Sequence, residues 1–115
     1  MKILHVYSGV YIGGGIIKKI INLVKSDSSN IHEILFIWYA DPTNKRAEMI
    51  KYLDDAQVTY HYTYKNSIWA NIPLVRRFFQ QNHYDLAHFY TDNVMVIGKI
   101  VKLLGVKQKY VRSFE

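Results

Sequence analysis

The sequence predicts an α/β fold, a doubly wound, Rossmann-like three-layer parallel sheet of about five strands with helices on both faces. Two observations predict it. Short apolar segments rich in β-branched and aromatic residues alternate with amphipathic segments, in the order β-α-β-α-β-α-β-α-β. Residues 33–40 are almost continuously apolar, as in a strand that is covered on both faces. The whole chain, residues 1–115, is expected to form one domain of this kind.

Strands and helices are predicted from residue type and periodicity. Runs of β-branched and aromatic residues predict strands at residues 2–8, 33–40, 58–62, 85–90 and 109–114. Apolar residues spaced three or four apart predict helices at residues 16–25 and 45–54, from Asn71 with Pro73 in the first turn, and from Asp92 or Asn93 to Leu104. The predicted buried faces include Leu23 in the first helix and Ala47, Ile50 and Leu53 in the second.

The strand order expected for this alternation is 3-2-1-4-5, with right-handed crossovers. In such a sheet a ligand binds beyond the carboxyl ends of the strands, where the order reverses between strands 1 and 4. That position brings together a glycine-rich loop at residues 9–15, a turn at 90–93 and the residues that follow Phe114.

Composition restricts the classes of function. The chain has no cysteine, which excludes disulfide scaffolds, cysteine-based zinc sites and thiol nucleophiles. Its uncharged runs are too short, and too broken by Gly, Asn or Pro, to span a bilayer. The N-terminus lacks the pattern of a signal peptide. A net charge of +6 suits anionic partners, but the basic residues are scattered, so no nucleic-acid partner is expected.

Three consecutive glycines, Gly13, Gly14 and Gly15, stand between the first strand and the first helix. Glycines let the backbone approach a ligand closely, and the free N–H groups of the following helix suit a diphosphate. The spacing matches neither the dinucleotide-binding pattern G-x-G-x-x-G nor a P-loop. The alternative that the glycines only allow a flexible turn stays open.

His88, Tyr90 and Asp92 lie at or just beyond the carboxyl end of the fourth strand. A neutral imidazole there can hydrogen-bond a sugar hydroxyl or act as a general base, and a packing histidine is the alternative. Asp92 is interpreted as a helix N-cap rather than a catalytic carboxylate. His5 lies inside the first strand and is interpreted as structural. The histidines lack metal-ligand spacing, so no metal site is expected.

Five motifs carry a family resemblance. They are M-K-I-L-H-V-Y-S-G at residues 1–9 with the glycines at 13–15, I-I-N-L at 20–23, H-E-I at 32–34, Y-D-L-A-H at 84–88 and L-G-V-K at 104–107. In this order, and over essentially the whole chain, they resemble the N-terminal domain of GT-B glycosyltransferases of the group 1, retaining type. The sequence departs from that family at Ile17, where an acidic residue is usual, and at Phe114 and Glu115, where a histidine is expected.

The resemblance implies the acceptor-side domain of an enzyme of carbohydrate biosynthesis. Such an enzyme moves a sugar from a nucleotide-sugar to a glycan or lipid-linked acceptor, without a metal or other cofactor, in the cytoplasm at the inner membrane face. By resemblance, the donor-side loop is Gly13, Gly14 and Gly15, and the acceptor crevice is lined by His88, Tyr90, Asp92 and Glu115. The resemblance assigns no catalytic residue.

The active site of that family lies between two domains, and the nucleotide-sugar domain falls outside these 115 residues. We therefore expect the chain to be inactive alone. We also expect peripheral membrane association through its basic charge and self-association through exposed apolar surface. The sequence leaves open a second interpretation, a stand-alone flavodoxin-like or Rossmann-like binding module without catalysis.

Overall fold

A parallel β-sheet forms the centre of the structure, a computed structural model that describes residues 1–9, 15–39, 45–90, 96–97, 99–100 and 110–112. Its four main strands are β1 (Lys2–Tyr7), β2 (Ile31–Trp38), β3 (Tyr60–Tyr64) and β4 (Leu86–Phe89). They pair in parallel in the order β3-β2-β1-β4, which confirms the predicted order of these four. Within the predicted fifth strand, β5 (Tyr110–Arg112) pairs in parallel with β4.

Helices connect the strands. They are α1 (Gly15–Ser26), α2 (Lys45–Ala56) and α3 (Ile72–Gln81), and a 3₁₀ turn (Trp69–Asn71) leads into α3. Residues 96, 97, 99 and 100 are also helical, within the helix predicted after β4. Among the described residues, none of the helices has the length and apolar character needed to cross a membrane.

The two faces of the sheet bury separate cores, because side chains alternate along each strand. The first face packs against α1 and α2 and buries Tyr7, Ile17, Ile20, Ile21, Ile34, Phe36, Trp38, Met49, Leu53 and Tyr90. The second face packs against α3 and buries Leu4, Val6, Leu35, Ile37, Val75, Phe79, Tyr84, Ala87, Phe89 and Ile97. The α/β class is thus confirmed, with helices on both faces of a parallel sheet.

Two strands are displaced by two residues from their predicted positions. β2 begins at Ile31 instead of residue 33, because Ile31 and His32 pair with Lys2 and Ile3 at the start of β1. β3 occupies 60–64 instead of 58–62, because residues 57–59 form the turn that follows α2. Both errors lie at element ends, where periodicity alone is least informative.

The predicted helix faces were partly wrong. Leu23 on α1 is 41 % exposed, although the pattern placed it with the buried isoleucines. On α2 the buried pair is Met49 and Leu53, four residues apart and so on one side of the helix, while Ala47 is exposed. The larger methionine and leucine side chains remove more apolar area from water than Ala47 could, and this sets the rotation of α2.

Gln57, the residue after α2, is the only non-glycine residue with a positive φ among those the structure describes, at 58°. Its N–H donates to the carbonyl of Asp54 at 3.1 Å, and the N–H of Val58 donates to the carbonyl of Leu53 at 3.5 Å. These bonds close the helix in the left-handed conformation that glycine usually adopts at this position.

We predict that Gln57→Gly raises the free energy of unfolding by about 0.5–1 kcal/mol, because glycine adopts the left-handed conformation without a Cβ penalty. The matched control is Gln80→Gly in α3, where the same change should lower stability by about 0.5–1 kcal/mol. Urea denaturation of the three proteins measures both. A loss of stability in Gln57→Gly comparable to that in Gln80→Gly would contradict the left-handed conformation at Gln57.

Candidate functional site

The candidate site lies at the carboxyl edge of the sheet, where β1 and β4 are neighbours. The chain leaves β1 toward β2 on one side, whereas β4 lies on the other side, so the order of the strands reverses here. Reversals of this kind leave a crevice beyond the strand ends. Among the described residues, Ser8 and Gly9 follow β1 and Tyr90 follows β4 at this edge.

His88 and Tyr90, both predicted as site residues, are brought together by the structure. Their rings stack with centroids 4.1 Å apart and planes 21° apart. The backbone N–H of Tyr90 donates to the carbonyl of Val6 at 3.1 Å, which holds Tyr90 against β1. Its side chain is only 4 % exposed, so most of the ring lies inside the layer between the sheet and the helices. His88 is half-buried on the same face.

A continuous chain of side-chain hydrogen bonds runs inward from Tyr90. The phenol oxygen of Tyr90 lies 2.7 Å from Nδ1 of His5, and Nε2 of His5 lies 2.8 Å from Nδ1 of His32. Nε2 of His32 lies 2.8 Å from a carboxylate oxygen of Asp27. We call Tyr90, His5, His32 and Asp27 the histidine chain. It crosses three neighbouring strands, from the carboxyl side of β4 to the turn before β2.

Strand register and a local turn hold the histidine chain in place. His5 pairs with His88 across β1 and β4, and His32 pairs with Ile3 across β2 and β1. The rings of His5 and His32 stack with centroids 5.0 Å apart. Asp27 is fixed separately, because its carboxylate accepts hydrogen bonds from the backbone and hydroxyl of Ser29 and from the amide of Asn30.

The electrostatics assign a protonation state to Asp27 and to His5. Hydrogen bonds from Asn30, His32 and Ser29 hold the pKa of Asp27 well below its usual range, so its carboxylate is ionised. Burial, helped by the neighbouring His32 and His88, lowers the pKa of His5 to about 4. His5 is therefore neutral at pH 7, inside a layer where it is 1 % exposed.

A second polar cluster lies on the opposite face, at the amino edge of the sheet. The carboxylate of Glu33 accepts hydrogen bonds from Nε2 of His61 at 2.7 Å and from the phenol of Tyr84 at 2.8 Å, and Nζ of Lys2 lies 3.6 Å away. Burial acts to raise the pKa of Glu33, but these donors outweigh it and the net pKa is lowered. This Glu33 cluster ties β1, β2 and β3 to the segment before β4, at the edge of the sheet opposite the candidate crevice.

Among the glycines that the structure describes, Gly9 has a steric requirement. A Cβ on Gly9 would overlap the phenol ring of Tyr7, and the carbonyl of Gly9 accepts a hydrogen bond from Nε1 of Trp38 at 3.2 Å. Gly15 is the first residue of α1, and a Cβ there would meet nothing within 4 Å. The predicted site residues Gly13, Gly14, Asp92 and Glu115 lie outside the described residues.

Sequence reasoning missed two members of the histidine chain, His32 and Asp27. The sequence predicted a structural role for His5, and for His32 it indicated only a place in the H-E-I motif and no metal-ligand spacing; the part of the chain that the structure describes holds no group of side chains suited to a metal ion. Counting alternate residues along each predicted strand would have placed His5 and His32 on the same face of the sheet. His5 shares its face with Tyr7, and His32 shares the same face with Phe36.

No protein-family model matches the sequence, and the comparison with curated proteins gives no match. What supports a function is therefore the geometry of the crevice and of the side chains beside it.

We predict that the free energy of unfolding falls as the pH falls from about 6.5 to about 4, by on the order of 3 kcal/mol. The pKa of His5 is lowered in the folded state, so the unfolded chain binds the proton first, and acid favours unfolding across this window. Urea denaturation at a series of pH values measures how steeply the free energy of unfolding changes with pH.

The slope should be much smaller in His5→Gln, which cannot take up the proton, and unchanged in His83→Gln, which alters an exposed histidine. An equally steep loss in His5→Gln would show that other groups cause it. The carboxylates of Asp27 and Glu33 also have lowered pKa values, but their contribution is lost at lower pH, as each is protonated.

Proposed function

We propose that this chain is the acceptor-side, Rossmann-like domain of a retaining, group 1 GT-B glycosyltransferase. The full enzyme would move a sugar from a nucleotide-sugar to a glycan or lipid-linked acceptor. The observation that carries the proposal is the strand reversal between β1 and β4, with the stacked rings of His88 and Tyr90 beside it. Addition of β5 next to β4 is consistent with the doubly wound order 3-2-1-4-5 of such domains.

In this proposal His88 is the group that meets the acceptor. It is half-buried with Nε2 in the interior, so a ligand would meet the rest of the ring, whose orientation is restricted by stacking on Tyr90. An imidazole held in this way can accept a hydrogen bond from a sugar hydroxyl. Tyr90 is a positioning residue, because its own hydroxyl is engaged by His5.

The donor side is proposed to lie at the start of α1. α1 begins at Gly15, eight residues after β1 ends at Tyr7, so in a parallel α/β sheet the free N–H groups of its first turn are expected at this edge. Backbone N–H groups at a helix N-terminus suit a diphosphate. The family resemblance assigns Gly13, Gly14 and Gly15 to the same role.

Transfer itself is proposed to need a second domain. Glycosyl transfer in this architecture requires the donor to be held and enclosed between two domains, and the described strands belong to one sheet. The net charge of +6 supports attraction to anionic lipid head groups and so action at the cytoplasmic face of the inner membrane. Self-association through exposed apolar surface stays a prediction.

We predict that an oligosaccharide mixture perturbs the NMR signals of His88 and Tyr90, and that UDP-glucose or GDP-mannose perturbs the first turn of α1. His88→Ala should remove the saccharide response, because it deletes the proposed hydrogen-bonding group. The control is His83→Ala, which changes an exposed histidine at the amino edge and should leave the response intact. If a flavin or dinucleotide binds this edge and no saccharide does, the binding-module interpretation replaces the proposal.

We also predict that the purified chain transfers no sugar above the no-protein control, because one domain cannot enclose the donor. Release of the free nucleotide from a panel of nucleotide-sugars measures this. Turnover by the 115-residue chain alone would contradict the division of roles between two domains.

A further inference from the structure

We propose that the histidine chain is a one-proton switch, in which a single proton added to the pair His5–His32 reverses the hydrogen bond between His5 and Tyr90. The proposal stands on the geometry of the four side chains and does not rest on the proposed function. Each neighbouring pair in the chain is 2.7–2.8 Å apart, so every link is a hydrogen bond with a defined donor.

Without the added proton, all links run one way. An ionised carboxylate can only accept, so Nε2 of His32 donates to Asp27. Nδ1 of a neutral His32 is then a lone pair, which accepts from Nε2–H of His5. Nδ1 of His5 is in turn a lone pair, which accepts from the O–H of Tyr90. Asp27 thus fixes the tautomer of both rings from the far end of the chain.

One more proton reverses the last link wherever its charge formally resides. The two rings have four nitrogens, and the pair then carries three N–H hydrogens. One stays on the bond to Asp27, and one is shared in the single bond between His5 and His32. The third must be on Nδ1 of His5, which now donates to the phenol oxygen of Tyr90. No heavy atom has to move, because every link keeps a donor and an acceptor.

The surroundings leave few other groups to take part. Facing His5 are His32 on β2, and His88 and Tyr90 on and after β4, with ring centroids 5.0–6.1 Å from its own. The helices on this face contribute buried isoleucines from α1 and the buried Met49 and Leu53 from α2. Asp27 is the charged group in the network, and it favours the added proton, whereas burial opposes it.

Reversal changes what the buried phenol of Tyr90 offers to its surroundings. In the neutral state its hydrogen points to His5, and its oxygen presents lone pairs to other partners. In the protonated state its hydrogen turns away from His5, and Tyr90 becomes a donor beside the ring of His88. Acidification should therefore change this buried hydroxyl from a donor to His5 into an acceptor from His5.

The test is NMR of the full chain with ¹⁵N-labelled histidine and ¹³C-labelled tyrosine, from about pH 8 to about pH 3. At the upper end, hydrogen should be found on Nε2 of both rings, His5 and His32. On acidification Nδ1 of His5 should gain hydrogen, and the Cζ signal of Tyr90 should move in the same step. Hydrogen on Nδ1 of His5 at neutral pH, or a Tyr90 signal that does not follow the step, would overturn the proposal.

The variant Asp27→Asn provides the second part of the test. Loss of the anion should move the midpoint of the step down by about one pH unit or more and mix the tautomers at neutral pH. Asp85→Asn is the matched control, since Asp85 is an aspartate at the same edge that accepts from the backbone N–H of Lys2. Equal effects in both variants would assign the shift to general charge and reject the switch. If Asp27→Asn fails to fold, the titration of the unaltered chain still tests the proposed switch.

Discussion

β2 is covered on both faces, and near its amino end it carries two consecutive polar side chains, His32 and Glu33. Because successive side chains point to opposite faces of a strand, each must find its partners in a different core. His32 bonds to His5 and Asp27 on one face, and Glu33 bonds to His61 and Tyr84 on the other. Burial without these partners would cost several kcal/mol for the carboxylate alone.

This constraint specifies the register of the sheet. A slip of β2 by one residue would exchange the two faces, and would place the carboxylate of Glu33 among the isoleucines beside His5. His32 would then face Tyr84 and His61, which supply no carboxylate. The apolar residues of β2 would tolerate such a slip far better, since both faces of the sheet are apolar from Ile34 toward the carboxyl ends of the strands. Polar satisfaction, more than hydrophobic burial, selects the observed pairing.

The sequence was a good guide to the elements and a partial guide to the site. The alternation of strands and helices predicted the order 3-2-1-4, because strand length and apolar period are local properties. The rule that ligands bind beyond the carboxyl ends of parallel strands also indicated His88 and Tyr90, whose rings stack in the structure. The link from His5 to His32 is different in kind, because it depends on the register between strands that are 27 residues apart.

Other misses have local causes. The turn at Gln57 has a conformation that glycine would have signalled, and the chain has glutamine there instead. On α2 several apolar residues of unequal size share a short segment, so more than one stripe fits the same period until packing selects Met49 and Leu53. Side-chain size decides the buried face of α2, and a glutamine in a left-handed turn lacks the signal that glycine would give; periodicity measures neither.

The central place of β1 has a consequence for synthesis of the chain. β1 is made before β2, β3 and β4, yet one of its edges is closed only by β4, more than 80 residues later. At about 5–20 residues per second, a ribosome needs roughly 4–16 s to reach that point. Throughout this interval His5 lies at an open strand edge without Tyr90. A polar, protonatable side chain at that position discourages another strand from pairing there, so the residue that later belongs to the buried network can first protect the nascent sheet from aggregation.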